Sequence, residues 1–171
     1  MSANRQAITR RLCITAALIA ANIVLARFLS FSVWNLKIGF GFVPVVLAAI
    51  LLGPLAGAVT GAVGDFIGAI AFPIGPYFPG FTLTAFLTGF WYGLTLSKSR
   101  RLPAILAAVL VTEIFGSVLL NSLWISILYD TPFLALLPAR LGQAALMGVA
   151  EIIVIPLLDR ILPRIRRAVS L

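Results

Sequence analysis

The sequence predicts an all-α membrane protein with six transmembrane helices and both termini in the cytoplasm. Three observations predict it. Of 171 residues, 61% are hydrophobic and only 11% charged, and mean hydropathy is +1.12, whereas soluble domains are about 45–50% apolar and about 25% charged. The apolar residues fall into six runs, each approaching the roughly 20 residues that span a hydrocarbon core of about 30 Å. The cations fall into three short clusters between runs and do not form the aromatic-interleaved basic face of a nucleic-acid binder. This composition excludes a soluble domain and intrinsic disorder.

The first helix is expected near 8–27, after Arg5, as an uncleaved span and not a signal peptide, because five more apolar runs follow it. The second, near 38–52, is short and ends at Gly53-Pro54. The third runs over about 55–72 to Phe72-Pro73, the fourth over 81–96, the fifth over 103–127 and the sixth over 134–159. Prolines 54, 73, 103 and 132 sit at these boundaries, where a missing N–H costs least. The whole chain, 1–171, reads as one domain.

Orientation follows from the cations. Arg5, Arg10 and Arg11 precede the first helix, Lys98, Arg100 and Arg101 separate the fourth from the fifth, and Arg160, Arg164, Arg166 and Arg167 follow the sixth. With six crossings all three clusters share one side, the cytoplasm, and they hold ten of the thirteen cations. The loops near 28–37, 73–80 and 128–133 then face outward.

Several function classes are excluded. The chain has no histidine and one cysteine (Cys13), so zinc sites built on His or Cys and hydrolases needing a catalytic His do not apply. It contains no G-x-x-x-x-G-K-[ST], so ATP-driven work requires a partner. No cofactor is expected, and no enzyme activity.

Polar side chains within a bilayer are costly and mark function by default. Asp65 on the third helix, Asn121 on the fifth and Arg140 on the sixth each lie about 9–10 Å below the outer helix ends, at about 1.5 Å per residue. They outline a ligand chamber open outward; an Asp65–Arg140 ion pair with a helix–helix hydrogen bond from Asn121 is the structural alternative. Glu113, Ser117, Asn121 and Trp124 share a helix face, as do Arg140 and Glu151. Glu113 falls near the midplane, and Glu151, nearer the cytoplasm, is expected in a partner contact or an internal network.

The outer loop from Arg27 to Lys37 interleaves these two cations with Phe28, Phe31 and Trp34. It reads as an interfacial anchor or as a lid for a flat anionic ligand. In the next loop Pro73, Pro76 and Pro79 make a rigid wall that presents Tyr77 and Phe78. Gly57-x-x-x-Gly61 and Gly64-x-x-x-Gly68 permit close helix approach. Ala16, Ala17, Ala20 and Ala21 make a smooth strip, serving either an internal contact or the docking of another membrane protein.

The runs Phe40-Gly41-Phe42-Val43-Pro44, Gly53-Pro54-Leu55-Ala56-Gly57, Gly61-Ala62-Val63-Gly64-Asp65 and Tyr77-Phe78-Pro79-Gly80-Phe81-Thr82 resemble the folate-type substrate-binding (S) components of energy-coupling factor transporters. The resemblance implies a multi-pass subunit of the bacterial plasma membrane, embedded in lipid. Such a subunit binds its vitamin from outside and delivers it inward with a transmembrane coupling subunit and two cytoplasmic ATPases. It assigns the alanine strip to the coupling contact. Folate has a flat pterin and an anionic tail, which Trp34, Tyr77, Phe78 and Trp124 can stack on, Asp65 or Asn121 can pair with, and Arg27, Lys37 and Arg140 can neutralise. An S component for riboflavin or pantothenate, and an ion-coupled transporter relaying protons through Asp65, Glu113 and Glu151, remain open at this point.

Overall fold

The computed structural model describes residues 2–33 and 36–169. Among them are six helices and one short hairpin. They run in the order α1 (Ser2–Arg27), β1 (Ser30–Val33), β2 (Leu36–Gly39), α2 (Phe42–Leu52), α3 (Pro54–Ala71), α4 (Pro79–Leu96), α5 (Leu102–Tyr129) and α6 (Phe133–Val169). Four helices, α1, α3, α5 and α6, are long and apolar enough to cross a membrane. Their outward faces are apolar: Leu106, Leu110, Leu146, Val149 and Ile153 are all exposed. A surface of this kind suits lipid and not water.

Three sequence expectations change. The outer loop after α1 is an antiparallel hairpin, pairing Ser30 with Gly39 and Phe31 with Ile38, so the fold is nearly and not wholly helical. Its second strand takes residues assigned to the start of the second helix, and α2 begins only at Phe42. With 11 residues, about 16 Å at 1.5 Å each, α2 does not span the hydrocarbon core; its Val46, Ala48 and Ala49 are wholly buried instead. At the other end α6 does not stop at 159 but continues to Val169. Leu162 explains the continuation, because it is buried with Leu96, Ile105 and Leu158 in the core and holds the helix past its interior Pro156 and Pro163.

Glycine sets the central contact. A Cβ on Gly57 would lie 2.6 Å from the Gly89 carbonyl oxygen, and one on Gly61 would lie 2.5 Å from that of Ala85. Cβ atoms on Gly89 and Gly93 would run into the backbone of Gly57 and Pro54. The α3 and α4 backbones therefore touch directly. Between lipid-embedded helices apolar burial supplies little drive, so such close van der Waals packing carries the association. The next turns of α3 receive α1: Gly64 leaves space for the Asn22 side chain, and a Cβ on Gly68 would lie 2.7 Å from Arg27 Nε.

At the α2–α3 junction Gly53 has φ +100 and ψ −178, a conformation essentially confined to glycine, and Pro54 starts α3 where no N–H is needed. One end of the bundle is filled by an apolar core from α2, α4, α5 and α6 that includes Val46, Leu96, Val109 and Ile155. The opposite end, carrying the hairpin and the α3–α4 and α5–α6 loops, is left open.

Gly89→Ala is expected to destabilise the detergent-solubilised protein by at least about 1–3 kcal/mol, the usual cost of overpacking. Gly142→Ala on α6, where nothing lies within 4 Å of the added methyl, is expected to be neutral or stabilising by up to about 1 kcal/mol. Thermal unfolding of the two variants checks the contrast.

Candidate functional site

The open end encloses a cavity of about 420 Å³, within the roughly 300–1,000 Å³ usual for small-molecule sites. It gathers Arg27 from α1, Asp65 from α3, Tyr77 and Phe78 from the α3–α4 loop, Asn121 from α5 and Arg140 from α6. Trp124 stands behind this lining. Its ring centroid is 5.7 Å from that of Phe78, and its Nε1 donates to Thr84 Oγ1 at 2.9 Å. Gly80 makes room for it, since a Cβ there would lie 2.5 Å from the indole. Lys37 lies on β2 opposite Ser32, with its side chain outside the described set, and Trp34 lies outside the described residues altogether.

A polar network ties the mouth together. Arg27 Nη2 is 3.5 Å from Asp65 Oδ1 and donates to the Asp65 carbonyl oxygen at 3.3 Å. Thr82 Oγ1 donates to Asp65 Oδ2 at 2.8 Å and lies 3.3 Å from the Tyr77 hydroxyl. Phe66 packs edge-on against Tyr77 at 5.7 Å, and Phe28 does the same against Phe72 at 5.0 Å. Asp65 therefore pairs with Arg27 and not with Arg140, the partner in the structural alternative to a ligand chamber. Gly68 is the reason: it lets the Arg27 side chain lie flat on α3, beside the turn that carries Asp65.

Arg140 is 5% exposed. Its Nη1 donates to Gln143 Oε1 at 3.2 Å, while its Nε finds no hydrogen-bond partner among the described residues. Asn121 Oδ1 likewise has none.

Beneath the main cavity lies a smaller chamber of about 170 Å³, and Thr84, Thr88, Asn121 and Gln143 border both. Its wall includes Glu113, Ser117 and Glu151. From Thr112 to Asn121 α5 is a π-helix, wound wider than an α-helix, a local form found often at functional sites. Glu151, expected at a partner contact or in an internal network, is 2% exposed and faces this interior chamber. Side chains that sequence reasoning passed over include Asn22, whose Nδ2 donates to the Gly41 carbonyl oxygen at 2.7 Å, and Thr82. Asn22 carried a usable signal, an amide within an apolar run; a threonine at a helix start carries none.

The alanine strip lies on the outside. Ala16, Ala17 and Ala20 are exposed and Ala21 is half-buried, and only 6% of the most apolar stretch of α1 is buried. Three of the four therefore face outward from the bundle.

With this geometry in place, similarity decides the family. The family described as "ECF transporter, substrate-specific component" matches residues 10–158. The chain belongs to this family. A relative named folate transporter FolT from Clostridium novyi (strain NT) is 37% identical over 141 residues, covering 82% of each chain. A FolT from Leuconostoc mesenteroides subsp. mesenteroides is 32% identical, covering 81% of this chain and 78% of its own. Among solved structures, FolT bound with folic acid superposes with a TM-score of 0.80 at 32% identity, covering 85% of this chain and 91% of that one. The S component of a bacterial ECF transporter gives 0.71 at 26%, covering 92% and 97%. The chain is thus a transport subunit and a multi-pass membrane protein.

The mouth network generates a direct test. In a double-mutant cycle, Arg27→Met and Asp65→Asn are expected to couple by about 1–3 kcal/mol in thermal stability, as partners in one hydrogen-bonded network do. Additive effects would mean that the pair holds nothing together.

Proposed function

We propose that this protein is the folate-binding S component of an energy-coupling factor importer. It captures folate from outside and delivers it inward when coupled to a transmembrane subunit and two cytoplasmic ATPases. The observation that carries this reading is the likeness to FolT at 37% identity, joined to a cavity of fitting size lined by aromatic and cationic groups. The setting is the bacterial plasma membrane. Both termini and the basic clusters lie in the cytoplasm, and the cavity opens outward. All six helices belong to the membrane domain, with α2 sheltered by its neighbours.

In this reading Tyr77 and Phe78 form the aromatic wall, backed by Trp124, and Trp34 is a further stacking residue. Arg140 and Asn121 hold one end of the ligand deep. Arg27 and Lys37 meet the anionic tail near the mouth, where Asp65 orients Arg27. The exposed face of Ala16, Ala17 and Ala20 with Ala21 docks the coupling subunit, since smooth strips let helices approach closely. A subunit of this kind has no ATPase site of its own. An S component for riboflavin or pantothenate is the second reading; the two cations at the cavity wall favour an anionic aromatic ligand over a small aliphatic one.

Two measurements test this. The purified chain alone is expected to bind folic acid without ATP, with ATP-dependent uptake in liposomes only when its partners are present; ion-driven flux from the chain alone would indicate a secondary transporter. Arg140→Ala and Asn121→Ala are each expected to weaken folic acid binding about tenfold or more, as loss of a buried polar contact does. Unaltered affinity in both would sink the assignment of these residues.

A further inference from the structure

The closed end of the bundle, away from the cavity, is strongly basic. The α4–α5 loop carries Lys98, Arg100 and Arg101, and α6 carries four arginines between 160 and 167, with Asp159 the one carboxylate among them. Two contacts bring the sets together. Arg100 Nε lies 2.5 Å from Asp159 Oδ1. Leu162 is buried in one cluster with Leu96 and Ile105, which flank the loop on either side. The ion pair uses up Arg100 and Asp159. Lys98, Arg101, Arg160 and Arg164 stay exposed, with no carboxylate partner among the described residues. None of the four lines the cavity. Arg160 and Arg164 are one turn apart on one helix face.

Apolar surface adjoins these cations. Leu102 and Leu106 follow Arg101 on α5, and Leu157 and Ile161 flank Arg160 on α6; all four are exposed. At 37 residues, α6 is about 55 Å long at 1.5 Å per residue, against a hydrocarbon core of about 30 Å. It therefore reaches past the hydrocarbon into the headgroup layer. A soluble anion or an acidic protein surface would use the cations and leave the aliphatic side chains bare. A lipid with a charged headgroup uses both. We infer that Lys98, Arg101, Arg160 and Arg164 seat the anionic headgroup of a phospholipid, with its acyl chains against the neighbouring aliphatic surface. The Arg100–Asp159 pair holds the loop cations beside those of α6. That this lipid belongs to the cytoplasmic leaflet rests on the reading of both termini as cytoplasmic.

The test is native mass spectrometry of the full detergent-solubilised chain, titrated with dioleoyl phosphatidylglycerol, dioleoyl phosphatidylcholine or glycerol phosphate. Wild type is expected to prefer phosphatidylglycerol over phosphatidylcholine by about tenfold or more, at roughly fivefold per cation near a headgroup. Glycerol phosphate at equal concentration is expected not to compete. Arg101→Gln/Arg164→Gln is expected to lose most of the preference, and Arg160→Gln alone about fivefold of it, each unfolding without lipid at the wild-type temperature. Arg5→Gln/Arg11→Gln removes the same charge from α1, which packs on α2 and α3, and is expected to keep the preference. Equal affinity for the two lipids overturns the inference and leaves the patch to a protein partner. Competition by glycerol phosphate, or an equal loss in the α1 variant, overturns it in favour of free phosphate or of unspecific charge. The leaflet is read separately, in Cys13→Ser/Arg166→Cys, where a membrane-impermeant maleimide is expected to label only lysed cells. Labelling of intact cells overturns the cytoplasmic reading and leaves the lipid site standing.

Discussion

Between α3 and α4 there is no room for side chains, and that constraint sets where the other elements lie. Gly57 and Gly61 on one helix meet Gly89 and Ala85 on the other, backbone to backbone. The same glycine-rich face continues along α3 to Gly64 and Gly68, which take Asn22 and Arg27 of α1. Once α1 lies in that groove, Arg27 reaches Asp65. Asp65 in turn reaches Thr82 at the start of α4. The closed packing of one helix pair thus becomes the geometry of a cavity mouth two turns away.

The two ends of the bundle solve opposite problems. At one end α2, α4, α5 and α6 fill the interior with aliphatic side chains around the wholly buried Val46, Leu96 and Ile155. At the other, all six helices, the hairpin and the α3–α4 loop surround space, and several polar groups facing it are incompletely paired. Buried polar groups in a bilayer are tolerated where they pair or line a cavity. The unpaired ones here lie on two helices, α5 and α6, whereas the satisfied Arg27–Asp65–Thr82 network lies on α1, α3 and α4. One half of the cavity is a fixed frame, and the other carries the free donors and acceptors.

Much of this was legible in the sequence, and the exceptions have physical causes. Hydropathy placed the long helices because lipid imposes a length and a composition. Intramembrane polarity picked out Asp65, Asn121 and Arg140, which do share one cavity. The hairpin was missed because Ser30–Val33 and Leu36–Gly39 are only four residues each, too short for alternation to stand out beside a helix. Which group Asp65 meets was left open because depth along a helix is readable from sequence but azimuth against a neighbour is not; Gly68 decides it. Of the two readings of Glu151 the internal one matches its place in the chamber wall, a choice the sequence leaves open for a similar reason. Its position three turns from Arg140 was visible, but the wall it would face was not.

The chain by itself is expected to hold a folate in the cavity lined by α1 and α6. Mass spectrometry of whatever small molecule co-purifies with the detergent-solubilised chain tests it most directly. A folate at a ratio of about one per chain is expected, displaced by added folic acid and depleted after Arg140→Ala. A flavin or pantothenate in its place, or a chain that carries nothing and takes up no added folate, would contradict it.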